Sequence, residues 1–479
     1  MWNLAGLPLF ILYLVSLVII PVIITQKKSP EAALAWVMLA IFVPLLGPFL
    51  YLVFGTERIK NRKLEKLFSN QAIRERLRQI EVHWAPGSRK RKGMNISRDL
   101  EDIISVCREL SLFDAVADNS IEIIIDAEEA YGRMEEAIQD ANHHVNLDYY
   151  LFRPDAVGKR FRDLLVHKAN QGVTVNFLYD AIGSRQLGRS REFLDSMREA
   201  GVRVEDFLPL RTFIRPWYVN LRNHRKLLII DNRTAFTGSL NIGEDFLNTK
   251  KRTWRETSVM LRGPALAQLQ WLFCEDWYRA TGEMLPFSQY SGAYAGAGDH
   301  VIQVVASGPD IREKAAQKSF FMAISTAKKS IYLTAPYFIP DEATYLALQL
   351  AALRGLDVKL LVPRKSDHPL VLLAGRSYYD DLLMCGVQIY EYSAGFLHAK
   401  MLIVDGQLAV IGSANADIRS FRYSFEVNVQ VYGQDFAKKA EQAFHNDLGQ
   451  STRLTDAYLK RSAGIRFVEN LLRLSSPLL

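Results

Sequence analysis

The sequence predicts an α/β protein: two pseudo-symmetric α/β/α halves with one active site between them, preceded by a two-helix transmembrane hairpin. Three observations carry that reading. Strand-like and helix-like segments alternate along most of the chain, a pattern that favours a sheet with helices on both faces. The alternating unit is written twice. The first 56 residues hold two long apolar stretches.

No charged side chain occurs from Met1 to Gln26, or from Ala32 to Thr56. About 20 helical residues cross a hydrocarbon core, so each stretch is long enough to span. The polar turn Gln26–Glu31 joins them. A cleaved signal peptide fits poorly, because there is no basic n-region, the apolar run is too long, and no small-residue cleavage site precedes Lys27. Pro44, Gly47 and Pro48 are placed to kink the second span. Trp2, Tyr13, Trp36 and Tyr51 sit where interfacial anchors do.

The 479 residues are 49% apolar and 23% charged, which excludes collagen, mucin-like stalks and wholesale disorder. The net charge of +7 is uneven. Arg58 to Arg98 holds 13 Lys and Arg against 3 acidic residues, a local +10 that leaves −3 for the rest. A basic run just after a membrane span places the large following part in the cytoplasm. It favours anionic lipid over nucleic acid as its partner. Cys107, Cys274 and Cys385 form no Cys-x-x-Cys pair and read as small apolar residues. The expected organisation is a hairpin over 1–56, a basic juxtamembrane linker and helix over 57–110, a first half over 111–290 and a second over 291–479.

The repeat begins at Ala137-Ile138-x-x-Ala141, echoed by Ala323-Ile324-x-x-Ala327. Strands follow at Val145–Asp148 and Ile331–Thr334, then Pro154-Asp155 and Pro340-Asp341, a helix-like run, and strands after Gly172 and Gly355. Ala200-Gly201-Val202 and Cys385-Gly386-Val387 lead into the next strands. The first half carries about nine extra residues, an insert over 211–222 with Arg211, Phe213, Ile214, Arg215, Trp217 and Tyr218. Apolar and basic together, it reads either as a lipid-gripping loop or as an ordinary surface excursion.

Each half ends in a hairpin. The first reads His224-x-Lys226-x4-Asp231, then six residues, then Gly238-Ser239-x-Asn241. The second reads His398-x-Lys400-x4-Asp405, six residues, then Gly412-Ser413-x-Asn415. Residues two apart on a strand share a face, so His and Lys point together and Asp, five further on, points away. A turn at Asp405-Gly406 sets His398 across from Ser413, or from Asn415 if centred one residue later. Asp231-Asn232 likewise sets His224 across from Ser239. The glycine before each serine leaves room for close backbone approach. Each hairpin then presents imidazole, ammonium, hydroxyl and amide on one face, with no carboxylate. That set suits an anion with several oxygens, such as a phosphodiester, with imidazole as nucleophile or proton carrier. No carboxylate or histidine cluster with metal spacing accompanies it, so no metal or other cofactor is expected.

Both hairpins resemble the His-Lys-Asp signature of the phospholipase D superfamily, and the resemblance covers roughly 110–460. The amino-terminal segment, with Ala35-Trp36 and Pro44–Tyr51, resembles that of bacterial cardiolipin synthases. The resemblance implies a multi-pass protein of the bacterial inner membrane with phosphatidylglycerol as substrate. One histidine attacks phosphorus to form a phosphohistidine. The other protonates the departing glycerol, then deprotonates a hydroxyl of a second phosphatidylglycerol, giving cardiolipin. By that likeness His224 is the nucleophile and His398 the acid/base, although sequence symmetry alone does not decide between them. His224, Lys226, Asp231, His398, Lys400 and Asp405 form the catalytic motif, with the two aspartates bracing the fold. Ser239, Asn241, Ser413 and Asn415 hold phosphate oxygens. A downstream glutamate orients each histidine: Glu426 for the second half, and Glu256, four residues further from its histidine, for the first.

The carboxyl-terminal stretch Tyr458–Leu474 interleaves apolar and basic residues. It reads either as a basic amphipathic helix on a membrane or as a last helix packed on the domain. Three rival functions are a phospholipase D hydrolase, in which water replaces the lipid acceptor, a nuclease of the same superfamily, and a non-catalytic scaffold. Two intact motif sets argue against the scaffold, and the juxtamembrane place of the basic run argues against the nuclease.

Overall fold

A computed structural model describes residues 18–25, 30–44, 46–52, 97–111, 113–208, 221–248, 253–285, 296–310, 314–474 and 476. The chain forms two units: Met1–Arg74 with Phe213–Asn220, and Glu75–Thr212 with Leu221–Leu479. In the first, helix Pro30–Phe42 stops just before Pro44 and helix Leu46–Leu50 follows. Proline has no N–H to continue the helical ladder, which accounts for the break. A Cβ on Gly47 would lie 2.3 Å from the Leu39 carbonyl oxygen, so only glycine fits beside that turn. Tyr51 is buried with Ile23 and Ala40, its ring 5.4 Å from Trp36. Among the described residues no helix is long and apolar enough to cross a membrane. Most of the first predicted span, nearly all of the basic run 58–98 and most of the 211–222 insert lie outside the described residues.

The second unit carries the duplication. Its first half contains β1 (Val116–Ile124), β2 (His144–Tyr149), β3 (Thr174–Asp180), β4 (Arg203–Phe207), β5 (Arg222–Asn223), β6 (Lys226–Ile230), β7 (Thr234–Gly238), β8 (Trp254–Arg255) and β9 (Ser258–Arg262). Its second half contains β10 (His300–Ser307), β11 (Ser330–Thr334), β12 (Phe338–Ile339), β13 (Asp357–Pro363), β14 (Gln388–Tyr392), β15 (Phe396–Leu397), β16 (Met401–Val404), β17 (Leu408–Gly412), β18 (Ala416–Asp417), β19 (Ser424–Tyr432) and β20 (Ser451–Arg453).

The strand order is β1-β9-β7-β6-β2-β3-β4 in one half and β10-β19-β17-β16-β11-β13-β14 in the other, with β20 at the far edge. The two orders are the same path taken twice. β1 pairs antiparallel with β10 and fuses the half-sheets. Parallel β2-β3-β4 and β11-β13-β14 are linked through crossover helices. The Pro-Asp pairs of the repeat start two of these. Asp155 accepts from the Gly158 N–H and Asp341 from the Ala343 N–H, each capping a helix N-terminus.

Helices Leu266–Thr281 and Gln434–Leu448 bury Leu269, Trp277, Phe436 and Phe444 in a core that both halves share. On the other face each half has its own core. Helix Arg98–Ser111 precedes the first half in sequence but packs Leu100, Ile103, Ile104 and Cys107 into the second half's core. Its apolar spacing fits one buried face.

The motif hairpins turn where expected, with a register displaced by one. Asp231 and Asn232, and Asp405 and Gly406, take positive φ as a tight hairpin turn requires. Beyond each turn Arg233 or Gln407 is an extra residue, so Ile230 faces Thr234 and Val404 faces Leu408. By the same count Lys226 faces Gly238 and His224 lies level with Leu240, not Ser239. The glycines do admit a neighbouring strand: a Cβ on Gly238 would lie 2.4 Å from the Thr257 oxygen, and one on Gly412 2.3 Å from the Val427 oxygen.

The motif aspartates sit at the hairpin tips. Asp231 accepts from the N–H groups of Asn142, His143 and His144 at 2.7–2.9 Å. Asp405 accepts from those of Lys328, Lys329 and Ser330 at 2.7–2.9 Å. Each carboxylate therefore ties a hairpin to the start of β2 or β11, and the fold does not bring either one to the histidines. Removing the Asp405 carboxylate leaves three backbone donors without it. Asp405→Ala should lower the unfolding free energy by about 1–3 kcal/mol, measured by denaturant titration. Turnover per folded molecule should stay within a few-fold of wild type, and a large loss of turnover at unchanged stability would instead place Asp405 in the chemistry.

Candidate active site

The two motifs meet because the halves exchange short strands. β5, which leads into His224, pairs in parallel with the start of β19, and β15, which leads into His398, pairs in parallel with β8. The His224 N–H donates to the Phe425 carbonyl and the His398 N–H to the Arg255 carbonyl, both at 2.9 Å. Each histidine is thus docked on the other half, next to that half's glutamate.

The glutamates pair crosswise. His224 Nδ1 lies 3.1 and 3.0 Å from the two carboxylate oxygens of Glu426, and His398 Nδ1 lies 2.7 Å from Glu256 Oε1. The expectation that each glutamate serves its own half's histidine is corrected, and the strand exchange is the reason. It also removes the difficulty posed by the longer spacing to Glu256, since that spacing links no partners.

Ser239 and Ser413 turn their hydroxyls to the glutamates. Ser239 Oγ donates to Glu256 Oε2 at 2.5 Å and accepts from the Thr257 N–H at 2.8 Å. Ser413 Oγ donates to Glu426 Oε2 at 2.5 Å and accepts from the Val427 N–H at 3.0 Å. Both are fully buried. They hold the glutamates that hold the histidines, and their assignment to phosphate binding is corrected. The one-residue register shift places them there.

Lys226 Nζ donates to the His224 carbonyl at 2.6 Å. Lys400 Nζ lies 2.8 Å from the His398 carbonyl and 3.0 Å from His398 Nε2. The Oδ1 atoms of Asn241 and Asn415 are buried without a hydrogen-bond partner among the described residues. An unmet buried polar atom is costly, and each of these is an acceptor that calls for a donor. Tyr150 sets its ring edge 4.8 Å from His224 and lies 5.3 Å from the Lys226 ammonium. Trp254, Phe396 and Tyr337 surround His398 at 5.7–6.3 Å.

Burial dominates the electrostatics. It pulls the His224 imidazole down to about 4, with Glu426 opposing and Lys226 and Lys400 reinforcing. It also lowers His398, against Glu256. Burial, with Lys400 next, brings Lys226 down to about 7, while burial brings Lys400 down to about 8 against both glutamates. For the glutamates burial pushes upward, but the facing histidine and lysines outweigh it and hold Glu256 and Glu426 below the usual carboxylate range. At neutral pH the glutamates are therefore ionised and the imidazoles neutral. Each carboxylate accepts the Nδ1–H, which leaves the Nε2 lone pair as the reactive one.

The duplication is imperfect beneath the site, and sequence reasoning missed this. Arg225, between His224 and Lys226, is buried against Asp276 and donates to the Ser307 and Glu426 carbonyls at 3.2 and 3.3 Å. Ala399 holds the matching place in the second motif. Asn223 Nδ2 donates to both oxygens of Asp148, whose carboxyl is raised well above normal by burial and by Asp276. The signal was present as an aspartate in an apolar strand where the repeat has Thr334. Among the described residues no group of His, Cys, Asp or Glu is arranged to hold a metal ion.

Duplicated sheets, crossed His–Glu pairs and twin lysines define a protein of the phospholipase D superfamily. The family described as "Cardiolipin synthase, PLD-like domain" matches residues 134–277 and 320–448, and "Phospholipase_D-nuclease N-terminal" matches 10–55. A cardiolipin synthase of Geobacillus sp. (strain WCH70) is 37% identical, covering 98% of this chain and 94% of that protein. Cardiolipin synthase 2 of Bacillus anthracis is 38% identical over 96% of this chain and 89% of that one. The crystal structure of a phosphatidylserine synthase from Haemophilus influenzae shares the fold, with a TM-score of 0.58 at 12% identity over 79% of this chain and all of that one. The chain belongs to the cardiolipin synthase family.

The depressed histidine makes stability depend on pH. Unfolded imidazole takes its proton near 6.5, whereas His224 in the fold takes it near 4. Between those values the unfolded state binds more protons, so stability is full above about 6.5 and falls as pH drops toward 4. Urea titrations across that window should show the decline, and His224→Asn should make it shallower. An unchanged slope in the variant would mean that His224 is protonated as readily as in water.

Proposed function

We infer that this site carries out phosphatidyl transfer between two phosphatidylglycerol molecules through a covalent histidine intermediate. As a member of the cardiolipin synthase family the chain is a phosphatidyltransferase. The observation that supports the route is the pair of imidazoles, each braced at Nδ1 by a carboxylate of the opposite half, beside two buried lysines.

In the proposed reaction His224 Nε2 attacks phosphorus. His224 is the more exposed of the two, and its Nε2 makes no hydrogen bond among the described residues, whereas His398 Nε2 is engaged by Lys400. The phosphorus–oxygen bond to glycerol breaks, and glycerol leaves with the Nε2 proton of His398, which that imidazole takes up when the phosphodiester anion binds. A hydroxyl of the second phosphatidylglycerol gives its proton to His398 and attacks phosphorus. The phosphorus–nitrogen bond breaks, releasing cardiolipin and restoring both histidines. Every step is reversible. The carboxylates stabilise the imidazolium that forms at each stage, as in other acid–base dyads. Lys226, Lys400 and the amides of Asn241 and Asn415 hold the non-bridging oxygens, and an arriving phosphodiester anion restores the charge that burial weakens in the lysines.

The apolar segments of 1–56 anchor the chain in the bacterial cell membrane as a hairpin, the basic run 58–98 lies against anionic lipid, and the halves over 111–290 and 291–479 face the cytoplasm. Anchoring keeps the site at the surface that supplies both substrates.

Purified full-length chain in mixed micelles with labelled phosphatidylglycerol as the only phospholipid should yield cardiolipin and equimolar glycerol. His224→Ala and His398→Ala should each abolish this, and chelators should have no effect. Phosphatidic acid with glycerol and no cardiolipin would make water the acceptor and the protein a hydrolase.

A further inference from the structure

The last helix, Ala463–Arg473, is mounted the wrong way round for a water-soluble domain. An amphipathic helix ordinarily turns its apolar stripe to the core and its charges to solvent. Here Glu469 is the buried residue, and it pairs with Arg461 at 2.7 Å. Arg461 also pairs with Asp380 at 2.5 Å. Arg473 lies 4.1 Å above the Tyr378 ring and 5.9 Å from Tyr345. Leu472 alone of the apolar side chains reaches the core. Ile465, Phe467, Val468 and Leu471, with Leu474 just beyond, are 45–78% exposed. At 100° per residue they fall on one half of the helix, away from Glu469 and Arg473.

The outward face does not stand alone. Helix Glu342–Leu353, which carries Tyr345, exposes Leu346, Leu350 and Leu353 in a single stripe, and Leu370 and Met384 are exposed as well. Helix Pro369–Arg376 packs against the last helix. Just before it, Asp367 accepts from the Tyr337 hydroxyl at 2.7 Å, and the Tyr337 ring lies 6.3 Å from that of His398. The inverted helix is therefore linked through one helix and one tyrosine to the rim of the active site.

We propose that the apolar face of Ala463–Arg473 inserts into the bilayer that holds the phosphatidylglycerol and seats the rim of the site at the headgroup level. Hydrocarbon is the solvent that such a face requires, and an interfacial helix keeps its cations at the headgroups. Exposed Lys460 and Arg466 supply them. A second copy of the chain offers no such charge match, because its own face carries the same cations. The proposal rests on transfer between bilayer lipids and adds a contact distinct from the amino-terminal anchor.

Two measurements on the full-length chain test it. A benzoylphenylalanine placed at Phe467 and irradiated in vesicles containing radiolabelled phosphatidylglycerol should take up lipid label, a readout that needs no turnover. No adduct, or an adduct joining two chains, would overturn the proposal. The variant Phe467→Glu/Leu471→Glu changes exposed positions only. It should make cardiolipin at least tenfold more slowly from long-chain phosphatidylglycerol in vesicles and at the wild-type rate from short-chain phosphatidylglycerol below its micellar concentration. Equal loss on both substrates would make the helix a structural prop, and no loss on either would remove it from the membrane. If wild type makes no cardiolipin while Phe467 still labels lipid, the proposed reaction fails and the docking face stands.

Discussion

Each histidine of the site is held by the glutamate of the opposite half, and the rest of the structure is arranged to permit that crossing. A carboxylate buried beside an imidazole is stable only where both are fully hydrogen-bonded, because each is expensive to bury alone. The serine one residue after each motif glycine satisfies the remaining oxygen of its glutamate. The glycine lets the glutamate's strand approach close enough for the serine to reach. The antiparallel pairing of β1 with β10 joins the two half-sheets edge to edge, so that β5 can reach β19 and β15 can reach β8. These devices converge on the two His–Glu pairs.

The proposed two-step transfer asks different work of the two imidazoles. One imidazole must be neutral to attack while its twin must carry a proton to the leaving group. Two identical isolated sites would tend to titrate together. Beneath this pair the symmetry is broken: Arg225 and Asp148 lie under the first motif, and Ala399 and Thr334 take their places in the second. The aromatic collars differ too, with Tyr150 against one ring and Trp254, Phe396 and Tyr337 around the other. Different surroundings separate the affinities of two chemically identical groups for a proton, and such separation assigns acid and base roles.

Much of this was legible in the sequence because it is local. The repeat, the strand and helix order, the Asp-capped helices and the turns at Asp231-Asn232 and Asp405-Gly406 all follow from periodicity and turn chemistry within short windows. Alternation along a strand placed Asp231 and Asp405 away from the histidines, and in the fold they sit at the hairpin tips, accepting backbone N–H groups. What could not be read depends on pairing over long distances or on a single extra residue. The bulges at Arg233 and Gln407 shift the register by one, which moved Ser239 and Ser413 from the phosphate to the glutamates. Alternation gave no warning, since each bulge lies in a tight turn. The crossed partnership of His224 with Glu426 spans 202 residues, and nothing in the spacing of either motif encodes which half completes it.

The cations of the site set its electrostatics. Lys226 and Lys400 are buried near one another, and burial with mutual repulsion brings Lys226 down to about 7. Two desolvated ammonium groups without an anion are a liability to the folded state, offset by Glu256 and Glu426, which are themselves committed to the histidines. On the proposed reaction a phosphodiester between the lysines counters their repulsion. The negative charge that builds on phosphorus-bound oxygens in the transition state counters it further still. Interactions that strengthen along the reaction coordinate raise turnover, and not merely affinity. A site that sets two buried lysines beside the reacting phosphorus, as the proposed reaction requires, is matched to the transferring phosphate more closely than to either lipid that carries it.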